Sequence, residues 1–181
     1  MGYTVAFVRG INVGGKRRLP MQALREVLTA DGLAPVRTHL QSGNVVVPTP
    51  PDGDLALLET RLERVVAGAF ALDVAVLCRS ADELGEIAGR HPQLVTEPDL
   101  KNLHVVFLRA EPDPELVAQL DPDRSPPDQF AVIGREVYLH YPGGAARTKL
   151  SGAYFERVLD ATATARNLNT VTRLQQMTGQ D

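Results

Sequence analysis

Between residues 3 and 78, apolar segments of two different periods follow one another in an order that few folds accept. The run "YTVAFVR" (3–9) is rich in β-branched and aromatic residues and stops at Gly10, which predicts a strand. A glycine-rich loop follows, and then Met21, Leu24, Val27 and Leu28 recur at helical spacing until Gly32, with Pro20 where a first turn tolerates it. "VRTHLQ" and "NVVV" meet at Ser42-Gly43 as a short hairpin. Asp54 closes the loop "PTPPDGD" and is placed to cap a helix that carries Leu55, Leu58, Leu62, Val65 and Val66 on one face. "DVAVLC" completes the series as a strand. Strand, helix, strand, strand, helix, strand is the order of a ferredoxin-like unit, here over residues 1–78.

The remainder, residues 79–181, opens with a capping box in which Ser80 precedes Glu83 by three positions. A strand "LHVVFLR" (103–109), a short helix "PELVAQL" (114–120) and a hairpin of "QFAVI" and "VYLHY" turning at Gly134-Arg135 come next. One helix is expected from Tyr154 to Leu159 and another from about Asn169 to Met177. The fold class is therefore α+β with two subdomains, the second a related strand-helix-hairpin-helix unit.

The totals narrow the classes of function. A net charge of −3 argues against coating nucleic acid by bulk positive charge and leaves room for a local basic patch. The single cysteine, Cys78, precludes an internal disulfide and suits a reducing compartment. The apolar N-terminal run is too short for a signal peptide or a bilayer span, so the expectation is a cytoplasmic protein with no membrane partner.

Three polar, glycine-punctuated stretches are the candidates for chemistry. "GINVGGKR" (10–17) has the glycines and lysine of a phosphate-binding loop, but Arg17 stands where that motif needs the magnesium-binding hydroxyl. Gly14 and Gly15 can still gather backbone N–H groups into an anion nest, with Arg9, Asn12 and Lys16 beside it. The alternative is a turn that merely solvates its cations. In "ATARNLNTV" (163–171), Arg166 next to a helix start opposes the helix dipole unless an anion lies between, while Asn167 can offer an amide. The competing reading has Asn169 as the cap and Arg166 paired with a carboxylate. In "YPGGAARTKLSG" (141–152), Arg147 and Lys149 precede a helix, an arrangement equally suited to a surface loop.

Other chemistry lacks a motif. His39, His91, His104 and His140 have no metal-ligand spacing, and no nucleophile motif or paired catalytic carboxylates occur. Cys78 ends an apolar strand and reads as buried and inert. Base stacking on the central strands is disfavoured, because "GNVVVPTP" supplies no aromatic.

Taken together, "RGINVGGK", "QSGNVV" and "TARNLNTV" resemble the bacterial proteins grouped as domain of unknown function 1697 (DUF1697). The family commonly carries an aromatic inside the last motif, where this chain has Leu168. The resemblance implies an α+β fold of two subdomains, the first ferredoxin-like, with no assigned activity. It also implies that the polar loops meet, adding Gln41 and Asn44 to a site with the glycine loop, Arg166 and Asn167. The resulting expectation is a phosphate- or carboxylate-bearing small molecule bound there, with Lys16 and Arg166 stabilising charge should phosphate transfer or hydrolysis occur. The alternatives are a nucleic-acid backbone binder using Lys16, Arg17, Arg18, Arg147 and Lys149, and a protein-interaction module whose polar loops are structural.

Overall fold

The computed structural model describes residues 2–15 and 17–179. The protein is α+β, with six α-helices among the described residues and two four-stranded antiparallel sheets. By contact density the chain divides into two units, Met1–Gly85 with Arg173–Asp181, and Glu86–Thr172.

In the first unit the elements run β1 (Tyr3–Val8), α1 (Met21–Ala30), β2 (Arg37–His39), β3 (Asn44–Pro48), α2 (Leu55–Phe70) and β4 (Val76–Ser80). The sheet order is β2-β3-β1-β4, with β1 antiparallel to both neighbours, so the ferredoxin-like arrangement is present. Ala6 and Val8 join a core closed by Met21, Leu24 and Leu28 of α1 and Leu58, Leu62 and Val66 of α2. Each of these large side chains contributes about 1.5–3 kcal/mol on burial. Val5, Phe7, Val46 and Leu77 on the opposite face are also fully buried. Burial on both faces explains why these strands read as continuous apolar runs rather than as alternation. The last strand begins three residues later than expected, because residues 73–75 precede the ladder. Asp54 caps α2 by accepting from the Leu57 amide at 3.0 Å.

The second unit repeats the topology. Its elements are β5 (Leu103–Leu108), α4 (Pro114–Val117), β6 (Gln129–Ile133), β7 (Glu136–His140), α5 (Gly152–Leu159) and β8 (Ala163–Asn167), in sheet order β6-β7-β5-β8. A core of Val106, Leu108, Leu139, Phe155 and Leu159 lies on one face. The strand β8 corrects the sequence expectation, which ran "ATARN" into the last helix without a strand. Its residues give no apolar run: Ala163 and Thr164 are buried, Ala165 is exposed and Arg166 is buried again. Small and polar side chains in buried strand positions leave no apolar signature.

The final strand of each unit leads into a helix, α3 (Ala81–Gly89) or α6 (Leu168–Thr178). Ser80 and Glu83 form the expected capping box, with bonds of 2.8 and 3.1 Å. At α6 the cap is Asn167 rather than Asn169, since Asn167 Oδ1 accepts from the Asn169 amide at 2.9 Å. On one outer strand of each sheet, β4 and β8, carboxylates occupy the edge. Glu59 accepts from the Cys78 N–H and Glu63 from the Val76 N–H, while Glu156 accepts from the Ala163 N–H. These three edge donors, which could otherwise recruit another strand, are thus satisfied from within each unit.

Candidate functional site

The glycine loop (10–17) and the turn of the hairpin "QSGNVV" come together at one end of the first sheet. β1 ends with Val8 donating to the Gly43 carbonyl and Arg9 donating to that of Ala75, both at 2.8 Å. Beyond it, Gly10, Asn12, Gly14, Gly15 and Arg17 all adopt positive φ. Such a succession folds the chain back on itself, and the Asn12 amide donates to the Arg17 carbonyl at 3.1 Å across the resulting turn.

The Asn12 side chain locks this turn to the hairpin. Its Nδ2 donates to the carbonyls of Leu19 and Gln41 at 2.9 and 2.7 Å, and its Oδ1 accepts from the Leu19 N–H at 2.9 Å. The amide orientation is fixed by these partners, because a flipped group would face two carbonyls with an oxygen. On the hairpin side, Asn44 is fully buried and its Nδ2 donates to the His39 carbonyl and to Ser42 Oγ. Gly43 is required by space as well as by φ: a Cβ there would lie 2.8 Å from the Val8 carbonyl oxygen and 2.9 Å from Ile11 Cδ1. Asn12 and Asn44 therefore form the frame, on which Val13, Gly14, Gly15, Arg17, Arg18 and Gln41 are exposed.

Gly14 and Gly15 at the tip both adopt positive φ, and nothing lies within 4 Å of a Cβ built at either. Arg9 is half-buried at the base of the loop, and the Arg17 guanidinium lies beside Gly10. Lys16 falls outside the described residues. The nearby His39 has its pKa lowered by burial and then by the charge of Arg173, which keeps it neutral in an already positive setting.

The remaining candidates lie in the second unit. Arg147 ends a single 3-10 turn (Ala145–Arg147) and is exposed, as is Lys149. Lys149 is tied through its backbone, donating to Ser125 Oγ and accepting from Arg124 Nε, both at 3.1 Å. Arg166 is buried on β8, and its Nη1 donates to Thr164 Oγ1 and the Ala165 carbonyl, each at 2.7 Å. Burial pushes its pKa down to about 10, so it stays charged at neutral pH. Asn167 Nδ2 donates to the Lys101 carbonyl at 2.8 Å.

A grouping that sequence spacing did not suggest involves three histidines of this unit. His140 Nε2 lies 3.0 Å from Glu97 Oε2, His91 Nε2 donates to the Leu139 carbonyl, and the His104 ring lies tilted against Tyr141 with centroids 4.9 Å apart. His104 and His140 become neighbours only through the pairing of β5 with β7. Among the described residues, no group of three His, Cys, Asp or Glu side chains could hold a metal ion, and no helix is long and apolar enough to cross a membrane.

Residues 1–138 match the family described as Protein of unknown function (DUF1697), and the chain belongs to that family. Among solved structures it is similar to the conserved bacterial protein SP0830 from Streptococcus pneumoniae, with 23% identity and a TM-score of 0.72. The likeness covers 97% of this chain and 98% of the other, and it supports the fold. No curated protein matches the chain in sequence.

Proposed function

We propose that this member of a family of unknown function binds a phosphate- or carboxylate-bearing small molecule at the glycine loop of its first unit. The observation that carries the reading is the exposed Gly14-Gly15 tip at positive φ, clamped to the hairpin by Asn12 and followed by the exposed Arg17 and Arg18. An exposed turn already held in place by Asn12, with guanidinium groups beside it, meets an anion without a large ordering cost. Lys16 belongs to the same proposal by its place in the loop. Arg147, Lys149, Arg166 and Asn167 belong to the second unit, where Arg166 and Asn167 have the surroundings of structural residues, so the glycine loop is the part to test first.

The test is thermal unfolding of the full chain with inorganic phosphate, sugar phosphates, nucleotides, dicarboxylates and a short RNA. Arg17→Gln/Arg18→Gln and Arg166→Gln are measured alongside the parent. A ligand at about 100 times its dissociation constant adds about 2.7 kcal/mol to stability. Stabilisation by one phosphate or carboxylate class, lost in the Arg17/Arg18 variant, is the expected result. If only RNA stabilises, with a steep loss as salt rises, the backbone-binding alternative replaces this one. No stabilisation by any probe refutes both and leaves the loops as structural parts of an interaction module.

A further inference from the structure

At the end of the first unit marked by the α1–β2 and β3–α2 connections, a cleft of about 430 Å³ lies between residues 32–34, the proline-rich loop 48–54 and the first turns of α2. Its size falls within the usual range for small-molecule sites, about 300–1,000 Å³. Leu33 and Leu58 line it and are almost wholly buried, whereas Leu57 also lines it and is 62% exposed. The cleft therefore has apolar surface both on its floor and at its mouth.

The walls are built before any ligand arrives. Thr49 donates through its backbone to the Gly2 carbonyl and Gly53 to that of Pro50, both at 2.9 Å. Asp52 Oδ1 accepts from the Asp54 amide, and Asp54 Oδ1 in turn caps α2. Each aspartate therefore uses one oxygen on the backbone, and among the described residues neither carboxylate is paired with a cation. Arg61, the cation of the cleft, is committed elsewhere: its Nε lies 2.6 Å from Asp31 Oδ2 and its Nη2 donates to the Asp31 carbonyl. With Arg61 engaged by Asp31, the exposed carboxylates of Asp52 and Asp54 give the mouth of the cleft an excess of negative charge over its apolar floor.

We infer that this cleft is a binding site for a small amphipathic cation, an alkyl chain seated on Leu33, Leu57 and Leu58 with an ammonium group against Asp52 and Asp54. A carboxylate of the same length would be repelled by the two aspartates and would find Arg61 already engaged. The site is separate from the glycine loop and takes the opposite charge, so each reading stands or falls without the other.

The probe series is hexylammonium, hexan-1-ol, hexanoate and methylammonium, titrated into the full-length protein while amide chemical shifts are followed by NMR. The expected result is saturable shifts at Leu33, Leu57 and Arg61 with hexylammonium, at least fivefold tighter than with hexan-1-ol, and none with hexanoate or methylammonium. Asp52→Asn/Asp54→Asn, which keeps a capping side chain at residue 54, should bring hexylammonium down to the affinity of hexan-1-ol. Leu57→Ser should weaken both without loss of fold, because that side chain is exposed. Equal binding of amine, alcohol and acid overturns the charge assignment. Shifts confined to other surfaces, or no shift at all, overturn the site.

Discussion

Asn12 is the residue whose removal tests the frame of the glycine loop most directly. Three hydrogen bonds converge on its amide, at 2.9, 2.7 and 2.9 Å. At about 1 kcal/mol net each they amount to about 3 kcal/mol. The Gln41 carbonyl lies at an exposed position where water can replace one partner, which returns about 1 kcal/mol. Asn12 also sits at φ 55°, a conformation that costs alanine about 1–2 kcal/mol and that asparagine tolerates. Asn12→Ala should therefore destabilise the protein by about 3–4 kcal/mol and Asn12→Gly by about 2 kcal/mol, the difference being the backbone term. Asn12→Asp is the decisive variant. It keeps an acceptor for the Leu19 N–H but sets a carboxylate oxygen against the carbonyls of Leu19 and Gln41. It should be less stable than Asn12→Ala at pH 7 and recover as the carboxyl protonates in acid. Urea unfolding at pH 7 and pH 4.5 measures all three. An Asn12→Ala loss below 1 kcal/mol, or an Asn12→Asp variant as stable as the parent at pH 7, would refute the clamp.

Gly43→Ala should cost about 3–5 kcal/mol by urea unfolding, because a contact of 2.8 Å with the Val8 carbonyl adds to the positive-φ penalty. Gly14→Ala, with open space around it, should cost only the φ term of about 1–2 kcal/mol; equal losses would mean that packing at Gly43 is not tight. Glu59→Ala leaves the buried Cys78 N–H without this acceptor and should cost about 1–3 kcal/mol, whereas Glu59→Gln keeps an oxygen there and should cost less. Indistinguishable urea midpoints for those two would argue against the edge role of the carboxylate. His91 is buried, donates through Nε2 to Leu139 and accepts at Nδ1 from the Gln93 amide, so its neutral form is the one that fits. Burial depresses its pKa, the stronger effect of those acting on it, and the unfolded chain therefore takes up the proton first as pH falls below about 6.5. The stability associated with His91 is complete above that pH and declines below it by at most about 1.4 kcal/mol per pH unit. His91→Asn should flatten unfolding free energy between pH 6.5 and 5; an unchanged slope would sink the assignment.

Most of the architecture was legible where side chains are large. Leu24, Leu28, Leu58 and Leu62 announce their helices because a period near 3.6 carried by leucine cannot be buried any other way. The capping box of Ser80 and Glu83 and the cap of Asp54 were readable because both use local hydrogen bonds. What remained hidden depends on contacts distant in sequence. The strand β8 has no local apolar signal and is recognised by its pairing with β5, and Asn44, expected at the ligand, is fully buried. Within the site, the glycines declared a turn; that Asn12 holds it to Gln41, across 29 positions, is a tertiary fact.

The repeated topology separates what the fold demands from what this chain adds to it. "TVAFVR" and "HVVFLR" occupy equivalent registers, with Val5 opposite Arg79 and Val105 opposite Arg166. Both arginines are buried, and each turns Nη1 onto the carbonyl of the preceding residue, Cys78 or Ala165. Ser80 and Asn167 follow them as helix caps, and Glu63 and Glu156 occupy the adjoining strand edges. A feature present in both units is accounted for by the packing that both share, and the placement of Arg166 is of this kind. The glycine loop is not. After β5 the chain reads Arg109-Ala110-Glu111-Pro112-Asp113 and enters α4 directly, without paired glycines or an asparagine clamp. A loop that one unit elaborates, at the expense of five residues at positive φ, while the other omits it is not required to complete this topology. That contrast directs the search for a ligand to the loop of residues 10–18.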